Sequence, residues 1–429
     1  MVAESKKQSM HIAIIGGGAA GCFAAINIKR NKPNYKVTIY ESGTKLLAKV
    51  AITGGGRCNL TNSFKGIRSI AAAYPRGEKL MKRLLHEFSH EDTMAWFERE
   101  GVRLVTQEDE CVFPKSQDAM EIVNTLISLM HRHGVEIKTG CRITSITKDE
   151  TDNTENCKWA VEWQKSANGT TGTQDATKEH DVFDRVVVTT GGSQKRSSLS
   201  MLDSLSLDII EPVPSLFSIC LPHHPITEMT GTVVEPATAT IVGTKMRSTG
   251  ALLITHWGMS GPAILKLSSY AARLLSETNY KARISVNWMG EKNENEAMET
   301  IMEIAIKNPA KQLSSIHPPQ FNSRLWNYLL ERSGLNGTQR WGELAKKSYN
   351  KLVNTLINDI YDADGKNRFK EEFVTCGGVA LSNINPKTME CRHHKGLYFA
   401  GEVLDVDAIT GGFNLQAAWS MGWMVAKSI

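Results

Sequence analysis

Six residues, GGGAAG at 16–21, constrain this chain more than any other stretch. They follow the apolar run HIAII at 11–15 and open the segment AAGCFAAINIKRN at 19–31, which reads as a helix with small residues on its inner face. Gly16, Gly18 and Gly21 stand in G-x-G-x-x-G spacing. The alternating segment KVTIYE then ends on an acid, Glu41, about 20 residues past the last glycine, as a dinucleotide fingerprint demands. In that motif the first glycine makes the tight turn, the second lets the backbone approach a pyrophosphate, and the third allows close helix–strand packing. The helix start faces the phosphates. An acid at 41 accepts ribose hydroxyls and disfavours a 2′-phosphate, so this site calls for FAD or NAD.

The far end of the chain decides between them. In GLYFAGEVLDVDAITGGFNLQAAWSMGW, Gly401 and Glu402 follow a short apolar run, and Gly411–Gly412 open a last helix. An acid just past a strand can hold ribityl hydroxyls. Backbone N–H groups around Asn414, Leu415 and Gln416 can stabilise negative charge at the N1–C2=O edge of a reduced flavin. A nicotinamide enzyme has no use for this second glycine-rich helix start, so FAD is expected.

The 429 residues call for more than one core. The first 193 read as the N-terminal part of an FAD-binding domain, and 373–429 as its C-terminal part. Between them, 194–292 reads as a β-rich insertion, 293–356 as a helical one and 357–372 as a return segment. Within the first part, apolar spacing predicts one helix over 78–100, a helix over 118–133, a strand over 135–146 and another over 158–164. The polar stretch 165–180 reads as a hairpin tip. The fold class is therefore α/β, a Rossmann-like domain interrupted by a β-rich and a small helical domain.

The net charge of +5 is small for this length and no basic run is present, so no nucleic-acid partner is expected. The start of the chain lacks an apolar signal-peptide core and no segment approaches 18 apolar residues, which makes a soluble cytoplasmic protein with no membrane partner the default. None of the eight cysteines forms a CxxC pair, and His223–His224 lacks a third ligand at useful spacing. Neither a dithiol centre nor a metal site is expected.

One more stretch, AITGGGRCNLTN at 51–62, reads as a loop on which Gly54, Gly55 and Gly56 bring the backbone close to the cofactor. Arg57 is its candidate functional charge, toward a pyrophosphate or the flavin face, and Cys58 is assigned to packing. This stretch, with GGGAAGCFAAI, CVFPKSQDA, GALLITHWGMSGPAIL and the C-terminal block from TCGGVALS onward, resembles the bacterial GGGRCNxTN flavoprotein family. These are HI-type NAD(P)/FAD-dependent oxidoreductases whose members include a bile-acid-linked reductase and aminoacetone oxidase. The resemblance covers essentially the whole chain and implies non-covalent FAD in a two-dinucleotide-binding-type fold. It implies cofactor contacts at Gly16, Gly18, Ala19, Ala20, Gly21, Glu41, Ser42, Lys49, Thr53, Gly55, Gly56, Arg57, Cys58 and Asn59. Further contacts are implied at Thr190, Gly191, Gly401, Glu402, Gly412, Asn414, Leu415 and Gln416, with Ile143 near the adenine. The chain departs from the family in having Thr53 and Cys391 where serine is usual. It also has SQKRSSLSMLDSLSLDII after Gly192 in place of a glycine-rich run.

In THWGMSGP, Ser260 reads as an N-cap and Pro262 as the first helical turn. His256 and Trp257 just before them are the substrate-side candidates. No residue stands out as the catalytic acid or base. The expected activity is hydride transfer on a small organic substrate through non-covalent FAD, with NAD(P)H expected as the transient electron donor to the flavin. An amine or aminoketone oxidase, a tRNA-modifying flavoprotein and a redox sensor are the alternatives.

Overall fold

The protein is represented by a computed structural model that describes residues 9–149, 158–165, 178–193, 195–367 and 374–429. It divides into two compact units, Met1–Val213 with Val374–Ile429, and Pro214–Phe373.

The first unit is built on a five-stranded parallel sheet. Its order is Leu397–Phe399, Arg185–Val188, β1 (His11–Ile15), β2 (Lys36–Glu41) and Glu136–Thr139. Ile12–Ile15 are all buried because β1 lies at the centre, which is why its sequence is a continuous apolar run rather than an alternation. Helix α1 (Ala19–Asn31) packs along the C-terminal helix Phe413–Ser428 at very short range. A Cβ on Gly422 would sit 2.8 Å from the Ala20 carbonyl oxygen. Phe23 of α1 fills the seam, with ring centroids 5.3 Å from Trp419 and 4.6 Å from Trp96.

Two expected elements are split. The helix expected over 78–100 is two helices, Glu78–Glu87 and His90–Arg99. Phe88 is extended between them, and Ser89 starts the second with a reciprocal cap to Asp92 (2.8 and 3.2 Å). The strand expected over 135–146 breaks at Gly140, whose φ of +67° turns the chain a corner. Glu136–Thr139 stays in the parallel sheet, whereas Cys141–Lys148 joins Trp159–Lys165 and Lys178–Phe183 in a separate antiparallel sheet. Trp159, Val161 and Trp163 share its buried face as the alternation predicts. Most of the hairpin tip read at 165–180 lies outside the described residues.

The second unit does not separate into a β-rich and a helical domain. Its six-stranded antiparallel sheet runs Ile219–Cys220, Gly258–Ser260, Arg247–Thr255, Val233–Ile241, Lys281–Asn287, Asp359–Asp364. The helices Glu294–Lys307, Ser323–Arg332 and Lys346–Ile357 share one apolar core with it, through Trp288, Trp326, Leu352 and Tyr361 among others. One core makes one unit, because neither layer could bury its apolar face alone. The segment expected to lead back to the first unit, 357–372, instead contributes the edge strand Asp359–Asp364. The unit boundary falls at 213 rather than 193. The glycine-poor stretch after Gly192 forms the 3-10 helix Arg196–Leu205 on the first unit, burying Leu199, Leu202 and Leu205.

Candidate functional site

The glycine fingerprint is explained almost entirely by close approaches. Gly16 has φ +106°, and a Cβ there would lie 2.4 Å from the Thr189 carbonyl oxygen. A Cβ on Gly21 would lie 2.2 Å from the Gly16 oxygen and 2.5 Å from Thr189 Oγ1. Gly18 differs: a Cβ there meets nothing within 4 Å, and its backbone is an ordinary extended one. No protein atom accounts for that glycine, which leaves space beside the start of α1 for a ligand. The first turn there has no side-chain cap and no acid, so the N–H groups at Ala19 and Ala20 face that space uncompensated.

Glu41, at the tip of β2, is held beside this turn. Its Oε2 accepts the Gly17 N–H at 2.8 Å, and its Oε1 accepts the Gly43 N–H at 2.6 Å and the Ser42 hydroxyl at 3.2 Å. The Gly140 N–H donates to the Gly43 oxygen at 2.9 Å, which brings the strand bearing Ile143 alongside. Ile143 is itself buried and in register with Trp163. On the other flank, Thr189 Oγ1 donates to the Gly16 oxygen at 2.8 Å, and exposed Thr190 and half-buried Gly191 (φ +76°, no atom within reach of a Cβ) continue the open rim. Thr189 escaped sequence reasoning because it looks like any strand-end threonine.

The 51–62 stretch is not the plain loop expected. Ala48–Gly56 begins as a helix, kinks at Thr53 (ψ 147°), and continues through three successive left-handed glycines with φ +61°, +70° and +81°. Gly55 has open space where its Cβ would be, consistent with a backbone surface offered to a ligand. Arg57 turns back on this loop: its Nε donates to the Gly54 oxygen at 3.1 Å and its guanidinium lies 4.5 Å from the Phe113 ring centroid. Cys58 is fully buried and burial pushes its thiol up to about 12. It is a packing group, not a thiolate. Asn59 reaches across the fold: with its amide assigned in the orientation that satisfies both neighbours, its nitrogen donates to the Thr61 oxygen (3.0 Å) and its oxygen accepts the Gly412 N–H (3.2 Å).

That bond fixes the start of the C-terminal helix. Gly412, with φ +90°, is its N-cap, and a Cβ there would strike the Thr61 oxygen at 2.3 Å. Asn414, expected as a cofactor contact, uses its side chain to clamp Ala408, accepting from its N–H (2.9 Å) and donating to its oxygen (3.1 Å). Gln416 is fully buried, accepting from Thr61 Oγ1 at 2.6 Å and donating to Ser420 Oγ at 3.0 Å. The side chains of both residues therefore build the helix start, and only backbone N–H groups such as those of Asn414 and Leu415 are left for a ligand. No side chain caps that turn.

Glu402, Lys49, Thr375 and Gly192 converge from four segments. Glu402 Oε1 accepts the Thr375 N–H at 2.6 Å and its Oε2 pairs with Lys49 at 3.3 Å. A Cβ on Gly192 would lie 2.4 Å from the same carboxylate. The 401–412 segment is anchored underneath by Asp407, which is completely buried and paired with Arg76 through an Nε–Oδ1 bond of 2.5 Å. This pair gave no signal in sequence, since its partners lie 331 residues apart.

His256 and Trp257 are in the second unit, on the turn between Arg247–Thr255 and Gly258–Ser260, with ring centroids 4.4 Å apart edge to face. His256 is exposed. Ser260 is not the helix cap expected: Gly261 holds that position with φ +85°, and Ser260 accepts a hydrogen bond from Ser218 at 2.7 Å. Among the described residues no group of His, Cys, Asp and Glu could hold a metal ion, and no helix is long and apolar enough to cross a membrane.

A parallel sheet with an open glycine turn, an acid at the end of β2 and a second uncapped helix start defines an FAD-dependent oxidoreductase on an interrupted Rossmann-type domain. The chain belongs to the HI0933-like protein Rossmann domain family, whose description matches residues 10–428. It is 26% identical over 427 residues to the 3-dehydro-bile acid delta(4,6)-reductase of Clostridium scindens, covering 97% of this chain and 98% of that protein. It is 25% identical over 435 residues to the ribosomal RNA dihydrouridine synthase of Escherichia coli, covering 97% of both. Its fold is similar to the 3-ketosteroid delta1-dehydrogenase of Sterolibacterium denitrificans, with a TM-score of 0.51 at 10% identity over 98% of this chain and 99% of that one.

Proposed function

We propose that the enzyme is a reductase in which, with FAD bound, a hydride from NADPH or NADH passes to a carbon–carbon double bond conjugated with a carbonyl group. The single observation that carries this reading is the start of Phe413–Ser428. Asn59 and Asn414 hold it rigidly, no side chain caps it, and its free N–H groups favour negative charge where a reduced flavin accumulates it. Gly16, Gly18 and Gly21 would hold the adenosine half of FAD with Glu41 on its ribose, and the Lys49–Glu402 pair and the 54–56 turn would flank the cofactor.

The names of two relatives support the bond type. A delta(4,6)-reductase removes ring double bonds, and dihydrouridine carries two more hydrogens than uridine. A second reading keeps the reaction and places the double bond in a uracil ring of RNA, favoured by the match to the dihydrouridine synthase over 97% of both chains.

The test is anaerobic mixing of the purified flavoprotein with NADPH or NADH, followed by cyclohexenone or, separately, by O2. Rapid bleaching of the flavin and reoxidation by the enone faster than by O2 are expected. No bleaching with either nucleotide, or reoxidation by O2 alone, overturns the reading in favour of an oxidase.

A further inference from the structure

Against the segment that leads into the C-terminal helix runs a short strap, residues 73–77. Its own sequence sets its course. Pro75 cannot continue the short helix Ile70–Ala73, so Tyr74 before it leaves the helical region (φ −118°, ψ 86°). Gly77, at φ +80°, then turns the chain into the helix Glu78–Glu87. The strap lies antiparallel to 406–409. The Ile409 N–H donates to the Ala73 oxygen at 2.9 Å, Arg76 bridges to Asp407, and a Cβ on Gly77 would lie 2.6 Å from a Val406 methyl. The Arg76–Asp407 ion pair is neutral as a unit, so it holds this segment without adding net charge.

Tyr74 reaches past that segment to the helix itself. It is completely buried, and its hydroxyl donates to the Phe413 oxygen at 2.9 Å. The two rings also meet edge to face, with centroids 6.1 Å apart. Burial pushes the Tyr74 hydroxyl above its usual range, so it stays a neutral donor at any working pH. A helix carbonyl has two lone pairs and the helix ladder uses one, which leaves the Phe413 oxygen free to accept this second bond. Phe413 C=O and Asn414 N–H are the two ends of one peptide group. A hydrogen bond accepted at the oxygen polarises that group and strengthens its N–H as a donor. The Asn414 N–H belongs to the uncapped first turn, where no helix carbonyl can receive it.

We propose that Tyr74 is a positioning residue that raises the reduction potential of bound FAD through the Phe413–Asn414 peptide. It fixes that peptide and strengthens its N–H toward the negative charge that a flavin gains on reduction. Oxidised flavin carries less charge there, so the stronger donor favours the reduced state over the oxidised one. Strengthening a charge-assisted bond by roughly 10–30% shifts its equilibrium about 1.3- to 5-fold. The inference rests on the reductase reading and adds to it a residue that tunes the flavin.

The reduction potential of full-length protein with FAD bound is measured anaerobically against a reference dye. Tyr74→Phe keeps the ring and removes the hydroxyl. Its ratio of reduced to oxidised flavin at a given potential falls about threefold, which is about 14 mV at roughly 30 mV per tenfold for a two-electron couple. Its affinity for oxidised FAD stays near that of the wild type. Thr61→Val is the structural control, because it removes the 2.6 Å hydroxyl bond to buried Gln416 at the same helix start without touching a peptide oxygen. It lowers the thermal midpoint and leaves the potential unchanged. Replacing Tyr74 with 3-fluorotyrosine, a stronger donor of nearly the same shape, raises the potential, and this arm decides if Tyr74→Phe fails to hold FAD. An unchanged potential in folded Tyr74→Phe, no rise with 3-fluorotyrosine, or an equal fall in Thr61→Val overturns the proposal. A wild type that reduces cyclohexenone with NADPH, beside a Tyr74→Phe variant at the wild-type potential, overturns it while leaving the reductase reading intact. A lowered potential in Tyr74→Phe, in a protein whose flavin no nucleotide bleaches, supports the role of Tyr74 and overturns the reductase reading instead.

Discussion

Gly18 and Gly21 sit three positions apart in one motif, and replacing each with alanine should have opposite effects. At Gly18 the backbone is ordinary (φ −85°, ψ −168°) and a Cβ meets nothing within 4 Å. Gly18→Ala should leave the FAD-free protein as stable as the wild type, or raise its stability by about 0.4–1 kcal/mol through a less flexible unfolded chain. The added methyl occupies the space through which a pyrophosphate would approach the N–H groups of α1. Losing one charge-assisted bond there costs about 1.5–3 kcal/mol, roughly 10- to 100-fold in FAD affinity. At Gly21 the Cβ would lie 2.2 Å from the Gly16 oxygen, far inside contact distance, so α1 must move away from β1. Such overpacking costs about 1–3 kcal/mol, and each kcal/mol lowers the midpoint by about 2–4 °C in a domain of this size. Thermal unfolding of deflavinated protein and FAD titration by flavin fluorescence separate the two effects. Wild-type FAD affinity in Gly18→Ala would mean that the open space is merely solvent and that the cradle has been misread. An unchanged midpoint in Gly21→Ala would refute the packing argument.

Gly56→Val places a β-branched residue at φ +81°, a strain of at least about 1–2 kcal/mol, and should lower the flavin content of purified protein while the circular dichroism spectrum stays native. Cys58, its thiol pushed up to about 12 by burial, should resist iodoacetamide at pH 8 in the native protein and react once the protein is denatured, as peptide mass mapping would show. Burial also holds the His90 imidazole below its usual range, against the opposing pull of Glu91 and Asp92. The unfolded chain therefore takes up this proton first as pH falls below about 6.5, so His90 contributes stability that is present above that pH and lost below it. His90→Gln should flatten part of the decline in thermal midpoint between pH 7 and 5.

The fingerprint was legible because everything it needs is local: strand, turn, helix and acid lie within residues 11–41, where spacing alone sets geometry. The same holds for the glycine run at 54–56, whose left-handed backbone only glycine adopts at low cost. Local reading failed where a nearby rule competed with a stronger one. The SHED capping box at 89–92 was present in sequence, but continuous apolar spacing masked the helix break it marks. Gln416 looked like a ligand contact because its motif opens a helix, yet the helix turns it inward to Thr61 and Ser420.

By itself, then, the sequence determined the cofactor class, the parallel core and the two helix starts, because each depends on dihedral preferences and periodicities a few residues long. Tertiary structure alone decided which residues meet: Lys49 with Glu402 across 353 positions, Asn59 with Gly412, Arg76 with Asp407. It also decided that sheet and helices of the insertion share one core. Pairings of that kind are set by the closure of long loops around buried apolar surface, and side-chain spacing along the chain carries no record of them.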